Sequence, residues 1–243
     1  MGDHPFEANI FSPVIHRYSL AFNEIDSKEP NILDVGGYKS RKHIGEEYFN
    51  NFLYTSLNVG YAWYKDVEVD YLYDGITIPF ENDSFEYVIS VDSLEHIIFE
   101  QRLQVLCEIV RVAKKRAIVV TPFRIPHVKT DESYILEICE KYGVLSPPSL
   151  NEHELYGLPF LSEIEEYVAQ LGGVYKFATN KKDYWSLQTT MLWNTISLKG
   201  DSISINRKIQ EFQEGHLKKQ PYPTSAENSY RCVLIFDKKE NKA

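Results

Sequence analysis

The feature that most constrains the fold is an alternation of short β-rich runs with segments of helical periodicity. Residues 31–35 form an apolar run that ends in two glycines, and residues 85–91 form a continuous β-rich run. In residues 100–113 apolar side chains recur at helical spacing, and a β-rich run at 116–121 follows. Buried strands that alternate with helices are typical of a parallel sheet covered on both faces. The sequence therefore predicts an α/β fold.

The same patterns assign most of the chain to strands and helices. We predict strands at residues 31–35, 52–59, 67–71, 85–91, 116–121, 174–178 and 231–236. We predict helices at residues 38–50, 100–113, 133–141, 161–171, 185–196 and 205–212. Ser162 is the expected cap of the fourth helix. Together these elements predict one domain over residues 1–243, with a doubly wound, seven-stranded, mostly parallel sheet and an antiparallel closing strand.

Charge and composition narrow the classes of partner. The 243 residues carry a formal net charge of −9, which on average repels a phosphate backbone, so we expect no nucleic-acid partner. The three cysteines are too few and too scattered for a disulfide framework or a zinc site. No signal peptide or membrane-spanning stretch stands out. We therefore expect a cytoplasmic protein with no membrane partner.

A glycine pair follows the first predicted strand, in the sequence Asp34-Val35-Gly36-Gly37. Glycines in this position let the backbone pass close to a ligand, because no β-carbon stands in the way. The loop lacks the Gly-Lys-Ser/Thr of a phosphate-binding loop. It also lacks the spacing of G-x-G-x-x-G, which argues against a dinucleotide.

Three motifs in order carry a resemblance to a known family. They read ILDVGG at the first strand, DGITIPFENDSFE before the fourth strand, and SVDSLEH at the end of that strand. This pattern resembles the class I S-adenosylmethionine-dependent methyltransferases of the small-molecule type, over roughly residues 30–123. The resemblance implies a Rossmann-like fold with helices on both faces of the sheet. It also implies S-adenosylmethionine as cofactor and S-adenosylhomocysteine as product.

The resemblance implies a role for the loops after the first two strands. Asp34, Gly36 and Gly37 would cradle the amino-acid end and the ribose of the cofactor. The family usually has an acid at the end of the second strand, where this sequence has none. Asn58 stands there instead, and its amide can both donate and accept hydrogen bonds with the ribose.

Two further loops complete the cofactor site that the resemblance implies. Asp74 would accept a hydrogen bond from the adenine amino group, with the Gly75 and Ile76 backbone beside the ring. The loop after the fourth strand would line the cofactor near its sulfonium through Val91, Asp92 and Ser93. The alternative for Asp74, a carboxylate that only caps a turn, stays open.

The acceptor side is expected in an insertion at residues 123–160, completed by a helical excursion at 183–229 that forms part of the acceptor pocket or a dimer contact. A hydroxyl acceptor benefits from a general base, and histidine suits that role at neutral pH. His153, which lies between two acids, and His96 are our candidate catalytic residues, ahead of His127 and His216. For His96, a purely structural role at a helix start stays open. We predict no metal site, because the spacing of His127, Asp131 and His153 does not demand one.

The predicted reaction is methyl transfer to an oxygen, less readily a nitrogen, of a small molecule. The stretch at residues 151–159 is similar to stretches in methyltransferases of polysaccharide assembly, which suggests a sugar or glycan acceptor. One alternative is an NAD-dependent oxidoreductase or epimerase, against which the missing third glycine and strand-two acid count. Another is a non-catalytic subunit that binds the cofactor. A homodimer is also expected.

Overall fold

A computed structural model describes residues 11–60, 68–128, 133, 136–137, 139–140, 148–180 and 225–238. The predicted helices at 185–196 and 205–212 lie outside the described residues, as do Asp131 and His216. Among the described residues, no helix combines the length and apolar composition needed to cross a membrane.

The described elements alternate between helix and strand over most of the chain. In chain order they are α1 (Phe11–Phe22), β1 (Asn31–Val35), a 3₁₀ turn (Lys39–Arg41), α2 (Lys42–Gly45), β2 (Leu53–Val59), β3 (Tyr71–Tyr73), β4 (Phe85–Val91), a 3₁₀ turn (Leu94–His96), α3 (Phe99–Val112), β5 (Ala113–Pro122), α4 (Pro148–Tyr156), α5 (Leu161–Leu171), β6 (Val174–Asn180), a 3₁₀ turn (Ala226–Asn228) and β7 (Ser229–Asp237).

The strands form one seven-stranded sheet in the order β3-β2-β1-β4-β5-β7-β6. The pairs among β1 to β5 are parallel, and β7 runs antiparallel to both of its neighbours. The prediction of a mostly parallel, seven-stranded Rossmann-like sheet with an antiparallel closing strand is therefore confirmed. The strand order reverses between β1 and β4, and in sheets of this kind ligands bind beyond the carboxyl ends of the strands at such a switch point.

Helices cover both faces of the sheet, and each face has its own apolar core. On one face, Tyr18 and Phe22 of α1 and Ile44 of α2 pack on the alternate side chains of β1, β4 and β5. On the other face, α3 and α5 pack through residues such as Ile109 and Ile164. The strands are apolar on both sides because both faces are buried, which explains their continuous β-rich sequences.

Two helices in the structure were not predicted from the sequence. Helix α1 has Pro13 in its first turn, where the missing N–H costs no hydrogen bond. Helix α4 lies in the insertion, where we expected a helix only at 133–141. Its signals are a proline at the first position, Gly157 with a φ of +72° just after the last turn, and Pro159 beyond. Both helices carry side chains that shape the site described below.

The predicted helix at 38–50 is wrong in extent, since only the 3₁₀ turn and the four residues of α2 are helical. Gly45 has low helix propensity, and the aromatic side chains that follow pack around Phe22 instead of continuing a helix. Ser162 is also not a cap. Helix α5 is preceded by Phe160, whose N–H donates to the Glu163 carboxylate at 3.2 Å.

A buried ion cluster ties three distant elements together at the end of β4. The Asp92 carboxylate accepts from Arg17 of α1 at 2.8 Å and from Arg231 of β7 at 2.6 Å. Arg231 is only 1% exposed, so its charge depends on Asp92 for compensation. Burial by itself would raise the pKa of Asp92, but the two guanidinium groups hold it below the ordinary aspartate value.

We expect Asp92→Asn to lower the free energy of unfolding by about 3 kcal/mol, because it removes the carboxylate charge that pairs with the buried guanidinium group of Arg231. Asp237→Asn is the matched control, since the Arg116–Asp237 pair also joins β5 to β7 but lies at the surface. Its expected loss is below about 1 kcal/mol. Urea unfolding of both variants measures the difference, and equal losses would contradict the assignment.

Candidate functional site

Asp34 lies near the end of β1 as a fully buried carboxylate. Its Oδ2 accepts from the hydroxyl of Tyr18 in α1 at 2.7 Å and from the hydroxyl of Tyr54 in β2. Its Oδ1 is buried and accepts no hydrogen bond from the residues that the structure describes. Burial raises the pKa of Asp34 to about 6, although the two tyrosine hydroxyls act in the opposite direction. Oδ1 of Asp34, next to the glycine pair, is therefore an acceptor that a bound ligand could use.

The glycine pair after β1 has no space for side chains. A β-carbon on Gly36 would come within 2.0 Å of Ser93 Oγ, and one on Gly37 within 1.9 Å of Asp34 Oδ2. Gly36 also has a φ of +87°, in the region that favours glycine. The loop after β1 thus lies directly against the loop after β4. This contact explains both glycines from sterics alone.

Asn58 supports the glycine pair in this structure. Its Nδ2 donates to the carbonyl oxygens of Gly36 at 2.9 Å and Gly37 at 3.3 Å, and its Oδ1 accepts from the Val59 N–H. These bonds engage both ends of the amide within the protein, and the expected contact of Asn58 with a ribose stays a prediction. Sequence alone could not show this role, because the partners are 21 and 22 residues away.

Asp74 forms a turn in the structure. Its Oδ1 accepts from the N–H groups of Ile76 at 2.8 Å and Thr77 at 2.7 Å, so the turn-capping alternative describes its contacts here. The backbone N–H groups of Thr77 and Ile76 lower the pKa of this exposed carboxyl. Gly75 follows with a φ of +88°, close to the Val59 side chain at the end of β2. The turn therefore lies at the carboxyl edge of the sheet, beside the glycine pair.

The loop after β4 includes the three residues that we expected near a sulfonium. Val91 is buried in the core on the α1 face, and Ser93 faces Gly36. Asp92 departs from the expectation, because its carboxylate is engaged by two arginines. It has a φ of +48°, an unusual backbone conformation that these ion pairs stabilise. Asp92 is therefore a positioning residue for this loop.

His96 and His153, our two catalytic candidates, lie in contact. Their Nε2 atoms are 3.3 Å apart and their ring centroids 4.7 Å apart. His96 Nδ1 pairs with the Glu152 carboxylate at 2.7 Å. Burial lowers the pKa of His96, and the neighbouring His153 lowers it further, against the raising effect of Glu152. The structure thus brings together two histidines separated by 57 residues, on the 3₁₀ turn after β4 and on α4.

Glu95 lies beside this histidine pair and is fully buried. Its Oε2 accepts from the Thr121 hydroxyl at 3.3 Å, whereas its Oε1 is 4.0 Å from His153 Nε2 and has no hydrogen-bond partner among the described residues. Burial, together with the nearby negative charge of Asp92, raises the pKa of Glu95. Our sequence reasoning did not select Glu95. Its place before His96 in the LEH motif was the available signal.

Helix α4 is held against the core by Arg102 of α3, which is 1% exposed. Its Nη2 donates to the carbonyl oxygens of Tyr156, at 3.2 Å, and of Gly157, at the end of α4, and its Nη1 pairs with Glu163 of α5 at 3.2 Å. A cation at the last carbonyls of a helix is favourable for both hydrogen bonding and the helix dipole. Arg102 therefore fixes the helix that carries His153.

A cleft with a volume of about 320 Å³ lies between α4 and the segment after β5. His153 lines it, together with His127, which is exposed and lies outside the histidine pair. Arg124 also lines the cleft and stacks over the Phe160 ring, with its guanidinium carbon 3.8 Å from the ring centroid. The cleft thus joins the predicted insertion to the carboxyl edge of the sheet.

Comparison with known proteins agrees with this architecture. Residues 56–121, which run from β2 to β5, match the family model described as a methyltransferase domain. No curated protein sequence matches the chain.

Solved structures with this fold share little sequence with the chain. A putative sarcosine dimethylglycine methyltransferase from Galdieria sulphuraria is 15% identical, with 94% of this chain and 85% of that chain covered and a TM-score of 0.52. Phosphoethanolamine N-methyltransferase 2 from Haemonchus contortus, in complex with S-adenosyl-L-methionine, is 15% identical with a TM-score of 0.55; 96% of this chain and 59% of that chain are covered. Geranyl diphosphate C-methyltransferase from Streptomyces coelicolor A3(2), in complex with S-adenosyl-L-homocysteine, is 12% identical over 93% of this chain and 76% of that chain, with a TM-score of 0.55.

The fold is that of a Rossmann-like methyltransferase, and residues 56–121 match a methyltransferase-domain model. Both findings agree with the class I, S-adenosylmethionine-dependent type that the motifs predicted.

Asp34 predicts a pH dependence of stability. Its pKa is about 6 in the folded protein and about 3.9 in an unfolded chain. Between these values the folded state keeps a proton that the unfolded state releases, so this contribution to stability is present below about pH 4 and is lost as the pH rises through 6. The loss amounts to at most about 3 kcal/mol.

Asp34→Asn removes the titrating group with little change of shape. We expect the stability of the wild type, relative to Asp34→Asn, to fall as the pH rises from about 4 to about 6. Urea unfolding at several pH values measures the difference between the two proteins. Parallel profiles across this window would contradict the raised pKa.

Proposed function

We propose that the chain transfers the methyl group of S-adenosylmethionine to an oxygen of a small molecule, with the donor and the acceptor meeting where β1 and β4 diverge. The observation that carries this proposal is the contact of Gly36 with Ser93. That contact joins the glycine loop, which suits a donor, to the segment that continues three residues later into His96. Ligands of such sheets bind at this switch point.

Two features of the donor side fit S-adenosylmethionine. Gly36 and Gly37 have no side chains, so a ligand can approach their backbone closely. Beside them, Oδ1 of Asp34 is a buried acceptor without a hydrogen bond from the described residues. When bound, the cofactor supplies an electrophilic methyl group on its sulfonium. In the proposal, Asp34, Gly36 and Gly37 hold the amino-acid end and the ribose of the cofactor. The adenine is bordered by Asp74, Gly75 and Ile76. The sulfonium is bordered by Val91 and Ser93. Asn58 and Asp92 act indirectly, by fixing the two loops.

On the acceptor side, the proposal places the small molecule in the cleft beside His153. Methyl transfer is an in-line displacement, so the protein must align the acceptor atom and exclude water. The Glu152 contact fixes the ring of His96, and His153, which lines the cleft, can direct its imidazole at an acceptor hydroxyl. A sugar or glycan hydroxyl is one acceptor of this kind, whereas a nitrogen acceptor is the less favoured alternative. A homodimer remains a prediction from the sequence.

Calorimetry with S-adenosylmethionine, S-adenosylhomocysteine and NAD tests the donor site. We expect the two sulfur cofactors to bind and NAD to give no heat. Gly37→Ala should abolish binding, because its β-carbon would displace the Asp34 carboxylate. Gly60→Ala is the matched control, since a β-carbon there meets no atom within 4 Å. Binding of NAD alone would support the oxidoreductase alternative and refute the proposal.

A screen for release of S-adenosylhomocysteine, with sugars, other alcohols and amines as acceptors, tests the acceptor side. With the best acceptor, we expect His153→Gln to reduce kcat/KM for that acceptor by about tenfold or more, as for loss of a hydrogen bond in the transition state. The KM for S-adenosylmethionine should stay near its wild-type value. His43→Gln, at an exposed position of α2, is the control. Cofactor binding without turnover of any acceptor would instead support a non-catalytic subunit.

A further inference from the structure

We propose that Glu95, His96 and His153 form a binding site for a divalent transition-metal ion, with Zn²⁺ the best match. This site was not expected from the sequence, which predicted no metal. The inference rests on three observations: the geometry of the three possible ligand atoms, the unpaired oxygen of Glu95, and the carboxylate behind His96.

The three side chains place one ligand atom each within 4.8 Å of the others. The two Nε2 atoms are 3.3 Å apart. Two nitrogens bound to Zn²⁺ at their usual distance and at the tetrahedral angle lie about 3.3 Å apart, so the spacing fits without rearrangement. Glu95 Oε1 is 4.0 Å from His153 Nε2, which is about 0.7 Å beyond this spacing.

The unpaired Oε1 of Glu95 is the second, independent observation. A fully buried carboxylate oxygen without a partner is rare, because its desolvation is uncompensated. Thr121 satisfies only the other oxygen, Oε2. The nearby arginines, Arg17 and Arg231, are paired with Asp92. A cation between Glu95 and the two imidazoles would compensate the buried charge at Oε1 of Glu95.

Glu152 gives His96 the arrangement typical of a metal ligand. A histidine that binds a metal through one nitrogen usually donates from the other to a carboxylate, which fixes the tautomer and the ring orientation. His96 Nδ1 makes such a contact with Glu152 at 2.7 Å, and this leaves the Nε2 lone pair directed at the cluster. The sequence Asn151-Glu152-His153 thus supplies one ligand and the support for another.

The ligand set distinguishes between classes of metal. Two imidazoles and one carboxylate suit Zn²⁺ and its neighbours Co²⁺ and Ni²⁺, whereas Mg²⁺ and Ca²⁺ prefer oxygen ligands throughout. Three protein ligands leave a coordination position for water or a substrate oxygen, as in catalytic zinc sites. Because His153 lines the cleft, an oxygen of the methyl acceptor could occupy this open coordination position. This last step rests on the proposed function, but metal binding itself does not.

The competing interpretation is a hydrogen-bonded histidine pair, in which one Nε2–H donates to the other Nε2. That arrangement needs neither Glu95 Oε1 nor a metal. The two interpretations differ in stoichiometric metal binding and in the effect of Glu95→Gln, which retains shape but removes the charge.

The test is titration of the chelator-treated full chain with Co²⁺, followed by visible absorption, with Zn²⁺ and Mg²⁺ as competitors. We expect one Co²⁺ per chain, displacement by equimolar Zn²⁺, and no displacement by Mg²⁺. His153→Gln and Glu95→Gln should abolish the absorption bands. Glu152→Gln should weaken Co²⁺ affinity by about 10- to 100-fold, as for other carboxylates behind a metal-binding histidine. His43→Gln should bind as the wild type does.

Circular dichroism of the metal-free variants shows whether each one folds. Glu152→Gln, whose side chain is 22% exposed, provides the measurement should the fully buried Glu95 variant unfold. Absence of cobalt bands in the wild type, or unchanged affinity in all three cluster variants, would overturn the metal site. Calorimetry with S-adenosylmethionine on the same metal-free wild type separates the two proposals. Cofactor binding without a cobalt site leaves the proposed function standing, and a cobalt site without cofactor binding leaves only the metal site.

Discussion

The ion cluster of Arg17, Asp92 and Arg231 is the interaction on which the site depends. It joins α1, the end of β4 and β7 at the point where the chain leaves the sheet. Asp92 adopts a positive φ, which turns the following residues sharply, and its N–H also donates to the Val120 carbonyl at 2.8 Å. Such a conformation is stable only when its surroundings hold it. With the turn fixed, Ser93 faces Gly36 and the LEH segment is directed toward α4.

A second buried arginine, Arg102, fixes the position of helix α4 in the insertion. Arg102 reaches from α3 to the last carbonyls of α4 and to Glu163 of α5. Together with the contact between Glu152 of α4 and His96, this contact fixes the position of His153 relative to His96. Two buried arginines therefore help to position the histidine pair: Arg231 through Asp92, before the turn that carries His96, and Arg102 at the end of the helix that carries His153. Buried arginines of this kind provide geometry more than stability.

The sheet could be predicted because its signals are local. Runs such as residues 85–91 are apolar on both faces and short, and glycine follows the first of them, so the number of strands and the fold class follow from pattern and spacing. Helix α1 and helix α4 were missed because prolines at their starts resemble helix breakers, although proline in a first turn is compatible with a helix. The length of 38–50 was overestimated because aromatic packing, which is tertiary, replaced helical continuation there.

Site residues were easier to find than their contacts. The motifs located Asp34, Gly36, Gly37 and the LEH segment, and histidine chemistry located His153. The contacts of Asp92 and Asn58 depend on partners far along the chain: Arg231 is 139 residues from Asp92. No local pattern encodes such a pairing. A carboxylate in a loop motif therefore indicates that a site is near, but only the fold decides whether it binds a ligand or holds the loop.

Asp92 and Glu95, close neighbours in the sequence, illustrate the difference between a carboxylate that holds a loop and one that can bind a ligand. Both are acidic and both are removed from water, yet their environments shift their pKa values in opposite directions. Two arginines keep Asp92 charged, so its electrostatic requirement is met within the protein. Glu95 contacts a threonine hydroxyl and lies beside two imidazoles, whereas Arg231 is paired with Asp92. In the proposed metal site, a bound cation would compensate the burial of Glu95 more fully than these neighbours do.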